Sequence, residues 1–288
     1  MGLQSKEIKI LETPRDAMQG LHTLIPLEKK VELIDSLLKV GFDILDVGSF
    51  VSPKAIPQMA DTAEVIRQID LSKTNTELFS LVVTESGGAT AAGFREISYI
   101  GFPFSTSETF LRKNIRSDFN KSMETISGLQ EICLRTHKTL VVYLSMAFGN
   151  PYGDPAGKEI ILQWVDKLYK KGVSVISLSD ITGVATPVMI NDVYSSLALE
   201  FPQTEFGLHL HTTGENWYNK IDAAYKQGCR LFDGVVNGFG GCPMTGYELL
   251  GNLPTGNIIE YAEKNSISLK IDKEQFVKSR LLANEIFA

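Results

Sequence analysis

The sequence predicts a single α/β domain over residues 1–288, a TIM (β/α)8 barrel with an additional C-terminal helix. Two patterns predict it. Short apolar runs of strand length alternate eight times with longer helical stretches, as in a parallel sheet with crossover helices. Three of those helical stretches close on a base or amide followed by glycine: Lys39-Val40-Gly41, Lys170-Lys171-Gly172 and Lys226-Gln227-Gly228. Glycine relieves the left-handed C-cap, and lysine suits the negative end of a helix. A doubly wound open sheet is the alternative. No GxGxxG follows a first strand and no GxxxxGK[ST] occurs, so nothing favours a nucleotide fold.

In chain order, the predicted strands are Ile8–Thr13, Asp43–Gly48, Leu78–Val83, Glu96–Phe102, Leu140–Met146, Val175–Asp180, Phe206–His211 and Leu231–Val236. Most are continuous apolar runs, as strands covered on both faces must be. The predicted helices between them are Leu27–Val40, Ile56–Ile69, Thr106–His137, Glu159–Lys171, Pro187–Glu200 and Glu215–Gln227. The third unit is the weakest, because Glu85–Phe94 is short and rich in glycine and alanine. Two further helical stretches, Tyr247–Lys264 and Lys273–Phe287, close the barrel and add the terminal helix.

Composition narrows the function. The formal charge of −6 is spread without a basic stripe or a polybasic cluster, which argues against nucleic acid and an anionic membrane as partners. No apolar run approaches the roughly 18 residues of a membrane span. Cys133, Cys229 and Cys242 form neither a CxxC nor an even framework, and no secretory signal opens the chain. A reducing compartment, the cytoplasm, is the expectation.

In a barrel, chemistry gathers at the C-terminal strand ends. His209 and His211 sit at i and i+2 near the end of the seventh predicted strand, so they share a face and can converge on one ion. The competing reading is a pair of satisfied histidines on a polar strand end. Asp16, after Arg15 at the end of the first strand, offers a carboxylate to the same axis. Two imidazoles and a carboxylate leave open positions for water and a chelating substrate, unless Arg15 and Asp16 only cap a loop. Asp46 lies among apolar neighbours in Ile44-Leu45-Asp46-Val47-Gly48 and needs a cation or a metal beside it. Cys242 sits in the glycine-rich Phe239-Gly240-Gly241-Cys242-Pro243, where a tuned thiol can move a proton. Asn252 offers an amide oxygen to the metal shell, or a plain turn.

These residues resemble the 3-hydroxy-3-methylglutaryl-CoA lyase family, within the metal-dependent barrel enzymes that make or break carbon–carbon bonds, over nearly the whole chain. The matching stretches are Pro14-Arg15-Asp16 with Gln19, Ser49-Phe50-Val51-Ser52-Pro53-Lys54, Arg112-Lys113-Asn114, Gly149-Asn150-Pro151-Tyr152, Ser177-Leu178-Ser179-Asp180, His209-Leu210-His211, and Gly240-Gly241-Cys242-Pro243 with Gly251-Asn252-Leu253. The resemblance implies that Asp16, His209, His211 and Asn252 bind Mg²⁺ or Mn²⁺. It implies that Arg15 stabilises enolate-like charge, that Asp46 supports the metal and Arg15, and that Cys242 takes part in proton transfer. Gln19, Ser49, Ser177 and Asp180 would shape the pocket for a small acyl-CoA substrate. Cleavage would give acetyl-CoA and acetoacetate. A homo-oligomer, by default a dimer, is expected.

Four positions depart from the family pattern. Asp46 stands where glutamate is common, and Thr212 where aspartate usually follows the second histidine. The interval from Cys242 to Asn252 is one residue longer. Ile181 precedes Thr182 where the family reads threonine and then an apolar residue. Other readings are a related acyl-CoA/2-oxoacid condensing enzyme, a pyruvate aldolase, or an inactive barrel acting as a binding protein.

Overall fold

Eight parallel strands close on themselves in the computed structural model, which describes residues 7–21, 23–241 and 250–287. The first half runs β1 (Lys9–Glu12), α1 (Pro14–Gln19), α2 (Leu27–Leu38), β2 (Ile44–Ser49), α3 (Thr62–Gln68), β3 (Glu77–Leu81), α4 (Glu85–Ala92), β4 (Ile97–Ser105), α5 (Glu108–Ile115) and α6 (Phe119–Thr136). The second half runs β5 (Thr139–Ser145), α7 (Lys158–Lys170), β6 (Val175–Asp180), α8 (Pro187–Glu200), β7 (Glu205–Leu210), α9 (Trp217–Lys226), β8 (Leu231–Gly234), α10 (Thr255–Lys264) and α11 (Lys273–Phe287). β1 pairs with both β2 and β8, which seals the sheet and leaves no edge.

Strand alternation divides the core in two. Leu11, Ile44, Phe79, Val141, Tyr143, Val175 and Leu231 form one cluster, the filling of the barrel. Their neighbours, such as Ile10, Leu45, Leu78, Val142 and Ile176, pack outward with the helices. Each such fully buried apolar side chain contributes roughly 1.5–3 kcal/mol. Filling a barrel needs small residues opposite large ones. Gly101 is one: a Cβ there would stand 2.0 Å from Cζ of Phe79.

The three glycines that punctuate the sequence adopt the left-handed conformation expected of helix ends, at φ +81° for Gly41, +80° for Gly172 and +96° for Gly228. The short third unit forms α4, capped by Thr84, whose hydroxyl accepts from Gly87 N at 3.1 Å. Three expectations change. The helix expected over Thr106–His137 is two helices, because Arg116 turns left-handed at φ +53° and Asp118 starts α6 by accepting from Lys121 N at 2.9 Å. Most of Ile56–Ile69 is a 3-10 turn followed by the shorter α3. The helix expected from Tyr247 begins, among the described residues, at Thr255 behind Pro254, which leaves Leu250–Leu253 free to run against the end of β7. No described helix is long and apolar enough to cross a membrane.

Candidate active site

At the barrel mouth, the ends of β7, β8, β1 and β2 are consecutive neighbours. α1 starts directly after β1, with Pro14 in its first turn presetting φ. That places Arg15 and Asp16 over the mouth. Arg15, 7% exposed, is a fork between two carboxylates: Nε donates to Asp46 Oδ2 at 2.8 Å and Nη1 to Asp16 Oδ1 at 2.9 Å. Gln19, one turn on, donates from Nε2 to the same Asp16 Oδ1 at 3.2 Å. Asp16 Oδ2 is left facing His209 Nε2 at 4.0 Å.

Asp46 is fully buried on β2, and its Oδ1 accepts from Gly48 N at 3.2 Å. Gly48 has φ +150°, and a Cβ there would lie 2.4 Å from Thr62 Oγ1, so the bulge that follows Asp46 requires glycine. Burial pushes the Asp46 carboxyl up to about 6, against the pull of Arg15. Burial would lower Arg15, but Asp46 and Asp16 outweigh it and hold the guanidinium charged. Burial would likewise raise Asp16; the charges of Arg15, His209 and His211 win and bring it below the usual carboxylate range.

His209 and His211 share a face, with ring centroids 5.5 Å apart. Burial, and then the charge of His209, lowers His211 to about 4, so its imidazole is neutral at physiological pH. Burial would lower His209 too, but the hydrogen bond and charge of Asp233 raise it. Asp233 Oδ2 lies 3.1 Å from His209 Nδ1. The returning strip bridges Asn252 to His211, supported by Thr212 N to Gly251 O at 3.1 Å and Leu253 N to Leu210 O at 2.9 Å. Asn252 is 2% exposed. Its Nδ2 donates to Phe239 O at 2.9 Å, while its Oδ1 is buried without a hydrogen-bond partner among the described residues.

The predicted residues therefore divide. Arg15, Asp16, Gln19, Asp46, His209, His211 and Asn252 come together. Ser177 faces inward on β6 below the mouth, and the buried hydroxyls of Ser49 and Ser177 have no partner among the described residues. Asp180 does not join them. It lies one residue past Ser179 and so on the opposite face of β6, where Oδ2 accepts from Lys220 Nζ of α9 at 3.1 Å and from Ala185 N at 3.0 Å. Its expected place in the substrate pocket is corrected to that of a buried ion pair holding the loop after β6. Cys242 lies outside the described residues.

Several site residues escaped the sequence reading. Ser179 is in register with His209 and has a buried hydroxyl without a partner among the described residues. Tyr143 stands edge-on to His209 at 6.1 Å, its phenol raised by burial and by Asp233. Asp233 was visible as a lone acid in the apolar run Leu231-Phe232-Asp233, the same signal that marked Asp46.

Among the described residues, no three His, Cys, Asp or Glu side chains already stand at the spacing of a closed metal site. The donor set nevertheless fits a hard-to-borderline divalent cation. It comprises the Asp16 carboxylate, two imidazoles and an orphaned amide oxygen, and a carboxylate oxygen facing a ring nitrogen at 4.0 Å spans the width of one ion's coordination sphere.

A (β/α)8 barrel with a carboxylate, imidazole and amide site at its C-terminal mouth is the class that fold and geometry define. The chain belongs to the HMGL-like family, whose model matches residues 7–282. It is 33% identical over 262 residues to mitochondrial hydroxymethylglutaryl-CoA lyase of Mus musculus, covering 90% of this chain and 79% of the relative. It is 30% identical over 277 residues to hydroxymethylglutaryl-CoA lyase YngG of Bacillus subtilis, covering 95% and 91%. Among solved structures it is similar to an HMG-CoA lyase from Acinetobacter baumannii in complex with coenzyme A and 3-methylmalate, with TM-score 0.90, 29% identity and coverage of 100% and 93%. The Bacillus subtilis HMG-CoA lyase structure matches with TM-score 0.91, 29% identity and coverage of 98% and 94%.

Proposed function

We propose that this chain is a carbon–carbon lyase that cleaves 3-hydroxy-3-methylglutaryl-CoA to acetyl-CoA and acetoacetate, assisted by Mg²⁺ or Mn²⁺. The observation that carries the reading is the facing pair Asp16 Oδ2 and His209 Nε2, 4.0 Å apart beside the buried guanidinium of Arg15. Family membership supports it, as does the complex of a similar enzyme with coenzyme A and 3-methylmalate.

The reaction has three demands. The tertiary hydroxyl passes its proton to a base, its oxygen becomes the ketone of acetoacetate as the C2–C3 bond breaks with its electrons passing into the thioester as an enolate, and an acid returns a proton to C2 to give acetyl-CoA. Asp16, His209, His211 and Asn252 would hold the cation, which when bound lowers the pKa of a chelated hydroxyl. Arg15 answers the second demand with a fixed positive charge for the enolate oxygen, preorganised by Asp46 and Asp16. Gln19 keeps Asp16 Oδ1 occupied, so that Oδ2 is the oxygen presented to the cation. Ser49 and Ser177 offer buried hydroxyls to polar substrate atoms. Cys242, in the glycine-rich sequence Phe239-Gly240-Gly241-Cys242-Pro243, answers the third demand as the acid.

Cytoplasmic location and a homodimer complete the proposal. The free thiols Cys133 and Cys229 agree with a reducing compartment. The test is incubation of purified protein with 3-hydroxy-3-methylglutaryl-CoA and Mg²⁺ or Mn²⁺, with acetoacetate as readout and Cys242→Ala alongside. We expect metal-dependent acetoacetate from the parent, and a large loss of turnover with metal affinity kept in the variant. No acetoacetate with either metal refutes the lyase assignment; full activity of Cys242→Ala refutes the role of the thiol.

A further inference from the structure

We propose that Asp233 is a positioning residue: it fixes the tautomer of His209 and thereby aims a lone pair of that ring at Asp16. Alternation on β8 brings Asp233 to the inner face two residues beyond Leu231, which belongs to the barrel filling. Gly207 on β7 is in register with Leu231, so two residues further along both strands His209 and Asp233 stand side by side. The side chain of Asp233 is 1% exposed and that of His209 12%. Asp233 Oδ2 lies 3.1 Å from His209 Nδ1.

A neutral imidazole has one N–H and one lone pair, whereas a carboxylate only accepts. The short contact therefore puts the proton on Nδ1 and the lone pair on Nε2. Nε2 is the atom that faces Asp16 Oδ2 at 4.0 Å, too far for a hydrogen bond. With Asp16 Oδ1 tied to Arg15 and Gln19, two electron-rich atoms are left pointing into one gap. Without Asp233 the proton is free to move to Nε2, where it would bond Asp16 and close that gap. Tyr143 restrains the ring further, edge-on at 6.1 Å. The consequence for catalysis rests on the proposed cation site; the tautomer itself does not. Carboxylates behind metal-bound histidines typically change affinity or activity by about 10–100-fold when removed.

The experiment uses the full chain with ¹⁵N-labelled histidine, as parent, Asp233→Ala and the isosteric Asp233→Asn. Ring ¹⁵N shifts are read in the metal-free protein at alkaline pH, and Mn²⁺ is then titrated by calorimetry. We expect His209 of the parent to carry its proton on Nδ1, and the Ala variant to carry it on Nε2. Mn²⁺ affinity should fall about 10–100-fold in the Ala variant. The Asn variant, whose amide oxygen can still accept from Nδ1, should lie between them. A parent His209 protonated on Nε2 overturns the proposal, as does an Ala or Asn variant that shifts neither proton nor affinity. If the parent binds no Mn²⁺, the cation site fails, and the ¹⁵N shifts still decide what Asp233 does. Should Asp233→Ala not fold, the Asn variant carries the same comparison.

Discussion

Glu12 supplies the sharpest test of the folded state. It is 0% exposed at the end of β1, on the outward face beneath α10. One carboxyl oxygen accepts from Val236 N at 2.7 Å, and Thr255 Oγ1 contacts the other. Those two residues bracket the excursion that carries Asn252. Burial raises the acid from its ordinary 4.5 to about 8, against the opposing pull of Thr255 and Val236. Between those values the unfolded chain has lost the proton and the folded chain keeps it. Stability therefore falls as pH rises from about 4.5 through about 8, then levels off. The interval of about 3.5 pH units, at about 1.36 kcal/mol each, amounts to several kcal/mol, on the order of 5. Glu12→Gln removes the titration and keeps the geometry: its oxygen accepts from Val236 N and its amide donates to the Thr255 hydroxyl. Urea unfolding of parent and variant at pH 5, 7 and 9 reads the difference. The two proteins should be nearly equal at pH 5, with the variant ahead by several kcal/mol at pH 9. A difference that stays constant across that range would refute the reasoning.

Other expectations follow from the same contacts. Lys220→Met strands the buried Asp180 carboxylate, which the parent pairs at 3.1 Å, and should cost about 3–5 kcal/mol by urea unfolding. Adding Asp180→Leu should recover most of that loss, and a double variant no better than the single one would contradict the pairing. Gly101→Ala drives a Cβ to 2.0 Å from Phe79 Cζ and should lower stability by about 1–3 kcal/mol or more; Phe79→Leu should relieve it, as thermal unfolding would show. Arg15→Lys keeps the charge but loses the fork to Asp46 and Asp16, so turnover in the acetoacetate assay should drop about 10²–10³-fold while the circular dichroism spectrum is unchanged.

Much of the barrel was legible because its signals are local. Eight apolar runs, three glycine C-caps and the period-two spacing of His209 and His211 all lie within a few residues of chain. The break in the long helix after Ile115 also had a local signal, the N-capping Asp118, which the periodicity on either side masked. Asp180 shows where local reading stops. Its position at a strand end looked like that of a site residue, but a single step past Ser179 turns it to the other face, and Lys220, 40 residues on, decides its role.

By itself the sequence determined the strand and helix order, the shared face of the two histidines and the presence of acids at strand ends, since backbone periodicity and capping act between near neighbours. Only closure of the barrel decided which acid meets which cation. Arg15 finds Asp46 31 residues away, Asp233 reaches His209 across 24, and Val236 and Thr255 close on Glu12 from the far end of the chain. Hydrogen bonds and burial act through space, and a site assembled from separate strand ends is set by which ends become neighbours.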